Sequence, residues 1–458
     1  MRRLRLTAER PVMFESINML SLRTSAIDSG NYLIGLSGGA DSTALLLMLI
    51  PSIRDRKIRV EVIHVNHGLR ASESDGDEQF CRELCQSIGV ELTVCNADLA
   101  GRKDEAAARD ARYAAFRQRY TEIGADGLIL AHNADDQAET YLMRLMRGTG
   151  PEGLACMKAD ETVAGIRIMR PMLSLRRQEI RSALQADGIP WREDSTNEDI
   201  SYLRNRIRQE LIPAMTRISG TAVEKICSAA AFANEDNCAL NAIAREILGR
   251  IADGWILDAD ALVKEPIAVR KRTLRIWWQE TGPAMKEHAL SAAQTESLER
   301  LLHITRGKIN LPGNIHAIRD RKHLFLTGIA VPAPEPVMIS GPVTVFGSYQ
   351  LKETGSEGDP GDGKTMQEVP AGFTRGCVIR TRQPGDRIRP FGSSGSRKLQ
   401  DYLTDRQIAE PFRDRIPLLC RGREVFLVCG VGAGDIPHWS PDTPSVRLTW
   451  YGKIPWKE

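Results

Sequence analysis

The sequence predicts an α/β fold: an N-terminal parallel-sheet nucleotide-binding domain, a helical middle domain and a small mixed α/β C-terminal domain. Three observations carry this. Between residue 31 and about 172, apolar runs alternate with helical patterns in a β-α-β-α rhythm. A Gly/Ser loop stands where the first strand gives way to a helix. The pattern turns mainly helical after Pro213, then mixed again beyond the Gly/Asp-rich stretch TGSEGDPGDGK at 354–364.

The elements follow in order. Asn31 to Leu36 is a short apolar strand and Ser42 to Ile50 a helix. Ile58 to Val65 reads as a buried strand, Glu73 to Ile88 as a helix, Glu91 to Cys95 as a strand. Lys103 to Ile123 is helical, Gly127 to Ala131 a strand, Asp135 to Met146 a helix. Such a sheet carries helices on both faces and binds ligands at the carboxyl ends of its strands. Residues 215–305 look mainly helical, with Trp277 and Trp278 on one helix, and 306–328 look like short strands around Pro312-Gly313. The chain therefore divides into an N-terminal extension (1–30), a parallel-sheet domain (31–215), a mainly helical domain (216–330), a linker (331–372) and a basic C-terminal domain (373–458).

Composition fits that division. At ~150 residues per domain, 458 residues correspond to about three. Hydrophobic residues at 42% and charged residues at 26% mark a globular chain, and Gly 38 with Pro 23 excludes a fibrous or disordered one. The longest strongly apolar run, Ala44 to Ile50, falls far short of the roughly 18 residues of a spanning helix. Arg10, Pro11, Glu15 and Asn18 break up any apolar signal core, so neither a membrane segment nor a signal peptide is expected. Nine cysteines without a C-x-x-C pair point to the reducing cytoplasm. Cys81 and Cys85 read as two buried thiols on one helix face.

The net charge of +3 does not announce a nucleic-acid partner. Locally the balance tilts: from Arg375 to Arg423 there are 12 Arg/Lys against 5 Asp/Glu, a surplus of +7. A solvated basic face and a surface for a phosphate backbone both fit this.

The strongest motif is Ser37-Gly38-Gly39-Ala40-Asp41-Ser42 between strand and helix. Two glycines permit close backbone approach, and the helix start offers free N–H groups and a positive dipole end to an anion. Ser37 and Ser42 add hydroxyl donors. No lysine is present, so this is not a G-x-x-x-x-G-K-[ST] loop. Asp41 would repel a phosphate unless a cation bridged the two, which implies Mg2+. The motif resembles the PP-loop ATP pyrophosphatase family, and the resemblance implies ATP cleaved between its α- and β-phosphates.

Two further clusters fall at predicted strand ends. In His64-Val65-Asn66-His67-Gly68-Leu69-Arg70, His64 reads as a strand-end or core histidine, while His67 and Arg70 are placed to reach a ligand. In Ala131-His132-Asn133-Ala134-Asp135-Asp136-Gln137-Ala138-Glu139-Thr140, Asp135 and Asp136 suit a helix N-terminus. Asp136 and Glu139 lie three apart on one face, fit to hold an ammonium group or a metal. Arg109 and Arg112 share a side of the preceding helix and face either phosphate or solvent.

These motifs, with RLMRGTGPEGLACM, Arg192-Glu193-Asp194-Ser195-Thr196-Asn197 and Tyr202-Leu203-Arg204-Asn205-Arg206-Ile207-Arg208, resemble the tRNA(Ile)-lysidine synthetase family. So do Arg380-Thr381-Arg382-Gln383-Pro384-Gly385-Asp386-Arg387-Ile388-Arg389-Pro390 and Arg413-Asp414-Arg415-Ile416-Pro417. The resemblance implies that ATP adenylates the C2 oxygen of the wobble cytidine of an isoleucine tRNA, and that free lysine then displaces AMP. By that resemblance the ATP-binding segment is Ser37, Gly38, Gly39, Ala40, Asp41 and Ser42, with Asp41 on Mg2+. Asp136 and Glu139 hold lysine, Arg112 and Arg204 neutralise phosphate or AMP, and Arg204, Arg208, Arg387 and Arg389 contact tRNA. Oligomeric state stays open, a homodimer included. The alternatives are a tRNA 2-thiocytidine synthetase, which would use paired cysteines, an amidotransferase-type synthetase, and a non-catalytic tRNA- or ATP-binding module.

Overall fold

A computed structural model describes residues 15–20, 27, 29–55, 58–66, 72–96, 105–193, 199–281, 289–328, 334–356, 361–436 and 444–452. The chain forms two compact units, 1–239 and 240–458.

Unit 1 is built on a six-stranded sheet in the order β3-β2-β1-β4-β6-β5, with β1 (Gly30–Gly35), β2 (Ile58–Asn66), β3 (Glu91–Asn96), β4 (Gly127–Ile129), β5 (Asp160–Val163) and β6 (Ile166–Met169). All its pairings are parallel except β5 with β6. Period-two alternation explains the two covered faces. Tyr32, Ile34, Val62 and Ile129 enter one core, with α2 (Ala40–Arg54) and α7 (Arg177–Ala186). Their neighbours Leu33, Ile63, Leu128 and Leu130 enter the other, with Phe116 of α4 (Glu105–Glu122). On α2, Leu45, Leu46, Leu47 and Leu49 are fully buried, each contributing about 1.5–3 kcal/mol. Cys81 and Cys85 on α3 (Ser72–Ile88) are buried side by side, and burial pushes both thiols up, Cys85 to about 12. The residues expected as an N-terminal extension supply α1 (Glu15–Met19), whose Ser16 and Ile17 N–H groups donate to Asp187 at 3.1 and 2.9 Å.

The strand order reverses between β1 and β4, which opens a crevice at their carboxyl ends. α5 (Ala134–Met146) starts there. Its Ala134, Ala138 and Leu142, four residues apart, pack on Ile207, Ile212, Val223 and Ile226. That contact brings α8 (Leu203–Arg206) and a π-helical turn (Ile207–Leu211) against α5. Pro213 has no N–H for a regular i→i−4 bond, which accounts for the wide turn before it.

The next helix, α10 (Ala222–Ile251), gives Val223 and Ile226 to the unit 1 core and Ala244, Ile247 and Leu248 to a unit 2 core. The boundary between the two compact units, 239/240, falls inside this helix. Unit 2 begins with helices around an antiparallel sheet of β7 (Ala252–Asp253), β8 (Ile256–Asp258), β9 (Arg306–Leu311), β10 (Ile315–Asp320) and β11 (His323–Thr327), in the order β7-β8-β11-β10-β9, which contains the strands expected at 306–328. Trp277 and Trp278 share α12 (Ile267–Thr281) and are buried.

Segment 331–372, expected as a linker, carries strands instead. β13 (Val343–Phe346), β14 (Tyr349–Gly355) and β15 (Met366–Pro370) join β22 (Ser445–Tyr451) in a four-stranded sheet. β12 (Val337–Met338) joins a second sheet with β16 (Val378–Arg380), β17 (Arg387–Ile388), β18 (Arg397–Lys398), β19 (Leu418–Arg421) and β20 (Glu424–Val428), in the order β12-β16-β19-β20-β17-β18, with β21 (Gly432–Ala433) on β20. Of the Gly/Asp-rich stretch, 357–360 lie outside the described residues. Asp362 organises the rest as a turn, accepting from the N–H groups of Lys364, Thr365 and Met366 at 2.8, 2.6 and 2.8 Å. Strand partners distant in sequence overrode the local turn composition.

Candidate active site

The phosphate loop closes β1 and opens α2. Gly38 has φ +85°, and a Cβ there would lie 3.3 Å from Cys81 Sγ and 3.5 Å from Arg192 Cγ. Gly39 is the N-cap and no side chain caps α2, so the first N–H groups of that helix remain for an anion. Ser37 and Ser42 hydroxyls lie 3.0 Å apart, and Ser42 Oγ donates to Gly39 O at 3.1 Å. Arg192 N–H donates to Gly38 O at 2.9 Å, which ties the chain after α7 onto the loop.

Asp41 stands in the first turn of α2. Its Oδ1 is buried with no hydrogen-bond partner. Burial pushes its carboxyl up to about 6; Asp136 adds to the rise, while Arg177, Asn133 and Arg181 oppose it. A buried carboxylate oxygen left over beside an anion-binding loop fits a Mg2+ held by one protein oxygen and by phosphate oxygens.

The second cluster lies at the start of α5. Asn133 and Asp136 form a capping box: Asp136 N–H donates to Asn133 Oδ1 at 2.9 Å and Asn133 N–H to Asp136 Oδ2 at 3.1 Å. Asp135 turns the other way, accepting from Arg176 Nε and from the Arg177 N–H at 3.1 and 2.8 Å. It thereby positions the start of α7. Glu139 is fully buried. Burial would raise its carboxyl, but Arg208, Arg177 and Arg204 overcome this and bring it down to about 2. His132 is held neutral, pushed down to about 4 by burial, and its Nδ1 accepts from Arg170 Nε at 3.3 Å.

Asp136 and Glu139 thus share a face, as their spacing predicts, and Asp41 is close enough to act on Asp136 electrostatically. Arg204 and Arg208, expected on phosphate and tRNA, contact these acids: Arg204 Nε lies 2.8 Å and Arg208 Nε 2.7 Å from Glu139. Arg112 and Arg109 are exposed on α4, and Arg109 lies over the Tyr113 ring. His64 is a core histidine whose Nδ1 donates to Leu36 O at 2.9 Å. His67, Arg70 and Asp194–Asn197 lie outside the described residues.

Sequence reasoning missed Arg177. Its Nη2 is 2.8 Å from Asp136 Oδ1, its Nη1 3.0 Å from Glu139 Oε1 and its Nε 4.0 Å from Asp41 Oδ2. A local signal existed. Arg176 and Arg177 stand at the N-terminus of α7, where the dipole disfavours cations, so acids from elsewhere must compensate them.

In unit 2 the structure divides the basic surplus. Arg380 is buried on Asp386 through two 2.8 Å bonds, Arg413 donates to Ile408 O, Arg421 donates to Phe373 O, and Arg415 stacks 3.8 Å above the Trp255 ring. These hold the fold together. Arg387 and Arg389 remain exposed; Arg387 Nε donates to Ser396 Oγ at 3.0 Å, and Arg389 lies 3.6 Å from Asp435.

Three family models match the chain: a PP-loop domain over 15–215, a TilS substrate binding domain over 257–325 and a TilS substrate C-terminal domain over 377–450. The chain is 33% identical over 425 residues to the tRNA(Ile)-lysidine synthase of Geobacter sulfurreducens, covering 88% of this chain and 89% of the relative. It is 31% identical to that of Symbiobacterium thermophilum, covering 92% and 93%, and 32% identical to that of Bacteroides thetaiotaomicron, covering 87% and 90%.

Proposed function

Because this chain belongs to the tRNA(Ile)-lysidine synthase family, we propose a role for each side chain of its site within that family's reaction. The chain is an ATP-dependent ligase that forms lysidine on tRNA(Ile). The observation that carries the site reading is the meeting of the phosphate loop and the Asp136–Glu139 pair at the carboxyl edge of one parallel sheet.

Ser37, Gly38, Gly39, Ala40 and Ser42 hold the phosphates through the start of α2. Asp41, whose Oδ1 is unpartnered, would hold Mg2+, and the ion would offset phosphate charge. The C2 oxygen of the wobble cytidine attacks the α-phosphorus, and the bond to the bridging oxygen breaks, releasing pyrophosphate. Free lysine then attacks C2 with its ε-amine; the C2–O bond breaks and AMP leaves. A lysine amine is mostly protonated at neutral pH, since its pKa is about 10.4, so it must be gripped and must lose a proton. Glu139 and Asp136 grip it. Glu139, held low by its arginines, is a poor proton acceptor. Arg112 and Arg204 neutralise phosphate or AMP, and Arg204 and Arg208, while held on Glu139, also reach the tRNA. Arg387 and Arg389 contact the tRNA backbone, whose A-form stems are read through shape and phosphates. The unpaired wobble base can be splayed into a cleft. All nine cysteines are free thiols, which suits the cytoplasm.

The experiment is mass spectrometry of digested tRNA(Ile) after incubation with ATP, Mg2+ and lysine. Lysidine is expected. Thiocytidine, or an unchanged cytidine, would overturn the reading.

A further inference from the structure

Arginine already occupies the pair of acids proposed to receive lysine. Glu139 Oε1 accepts from Arg177 Nη1 at 3.0 Å and Arg208 Nε at 2.7 Å; Oε2 accepts from Arg204 Nε at 2.8 Å and Arg208 Nη2 at 3.1 Å. Asp136 Oδ1 accepts from Arg177 Nη2 at 2.8 Å and Arg204 Nη2 at 3.3 Å, and its Oδ2 from the Asn133 N–H. A carboxylate offers about four lone-pair sites, so Glu139 has none to spare. Three acids, Asp41, Asp136 and Glu139, face Arg177, Arg204 and Arg208, with Arg181 also acting on Asp41, so the cluster carries no net negative charge. A lysine ammonium entering this cluster must displace a guanidinium and finds no net negative field to draw it in.

We propose that Arg177 is a phosphate-responsive gate on the lysine site: it closes Asp136 and Glu139 until nucleotide phosphates draw its guanidinium away. This rests on the reading of those two acids as the lysine-binding pair.

Arg177 is the arginine suited to the exchange because it reaches both clusters. Its Nε lies 4.0 Å from Asp41 Oδ2, in the first turn of the helix that faces the phosphates. One turn along α7, Arg181 acts on the same Asp41, and its Nε is buried without a hydrogen-bond partner. The two side chains form one basic wall beside the phosphate loop. Arg204 and Arg208 come from α8 and the π-helical turn packed on α5, and stay with Glu139. A triphosphate adds several negative charges and bidentate acceptors for a guanidinium. Arg177 leaves carboxylates that other arginines still serve. Its departure removes one positive charge from beside Asp136 and Glu139 and frees an acceptor site on each for a lysine ammonium. Lysine then enters only after the nucleotide that is to be consumed.

The test is equilibrium dialysis of radiolabelled lysine against the full chain with Mg2+ and no tRNA. It is run with and without an ATP analogue bearing a methylene bridge between the α- and β-phosphates. Lysine should bind on the order of tenfold or more tightly with the analogue, within the usual span of coupling between two ligands. By linkage, lysine should tighten the analogue by the same factor. In Arg177→Gln, lysine should bind without nucleotide and the coupling should vanish. Arg177→Lys, which keeps the charge but loses the fork, should show weakened coupling and serves if the first variant fails a thermal melt. Equal lysine affinity with and without the analogue in the wild type, no lysine binding in either, or undiminished coupling in Arg177→Gln would overturn the gate. Undiminished lysine binding by analogue-loaded Glu139→Gln would instead overturn the lysine site itself.

Discussion

Arg177 Nη1 lies 3.0 Å from Glu139 Oε1, joining the first residue of α7 to the second turn of α5. The pair couples the phosphate side of the crevice to the acid side, because the same guanidinium also approaches Asp41. Mutations in either cluster should therefore have effects that are readable by pH, by half-reaction or by salt.

Asp41 should trade stability for function. Its carboxyl titrates near 3.8 in an unfolded chain and near 6 in the fold. With the folded value raised, the associated stability is whole below the unfolded value and lost as pH rises through 6. At pH 7 the charged form costs on the order of 1–3 kcal/mol, at 1.36 kcal/mol per unit. Asp41→Asn should therefore melt higher than wild type at pH 7 and no higher at pH 3.5, while ATP–pyrophosphate exchange disappears and tRNA affinity persists. Near-normal exchange would remove the metal-holding role.

Glu139 should behave with the opposite sign. Its carboxyl falls from 4.5 to about 2, so its contribution is present above 4.5 and lost as pH drops through 2. Glu139→Gln leaves three guanidinium groups short of an anion, and losing one partner of a buried pair costs about 3–5 kcal/mol. Among variants that stay folded, Glu139→Gln and Asp136→Asn should lose lysine transfer further than tRNA adenylation. Equal loss of both half-reactions would refute the lysine assignment.

Gly38→Ala should be damaging out of proportion to one methyl group. The backbone sits at φ +85°, and the added carbon meets Cys81, Phe80 and Arg192. The left-handed conformation alone costs about 1–2 kcal/mol in a non-glycine residue. ATP affinity measured by calorimetry should fall sharply, with the melting temperature lowered by a few degrees. Unchanged affinity would mean the loop does not cradle the nucleotide.

Arginines of the C-terminal region should fall into two groups. Replacing Arg387 and Arg389 with Gln should weaken tRNA binding and flatten its salt dependence, by up to about 0.9 in the log–log slope per phosphate contact on a duplex such as B-DNA. Single-turnover rates at saturating tRNA should hold. Arg380→Gln should leave the slope alone and lower the melting temperature, since it strands the buried Asp386. A salt slope unmoved by the Arg387/Arg389 pair would make that surface a solvated face.

Local chemistry made much of this legible before any coordinates. The alternation in Tyr32, Leu33 and Ile34, the Gly-Gly turn at the end of β1 and the three-residue spacing of Asp136 and Glu139 are short-range features, and local backbone physics alone implies a parallel sheet with an anion site at its edge. What Asp136 and Glu139 touch could not be read that way. Arg177, Arg204 and Arg208 are brought in by the packing of α5 on the π-helical turn and by Asp135 gripping the start of α7. For the same reason 331–372 reads as a linker from sequence: β14 is stabilised by β22, about a hundred residues on, and the turn-rich composition between them says nothing of that partner. Backbone conformation and face periodicity are set within a few residues, whereas charge compensation and strand pairing are set by whichever distant segment the fold delivers.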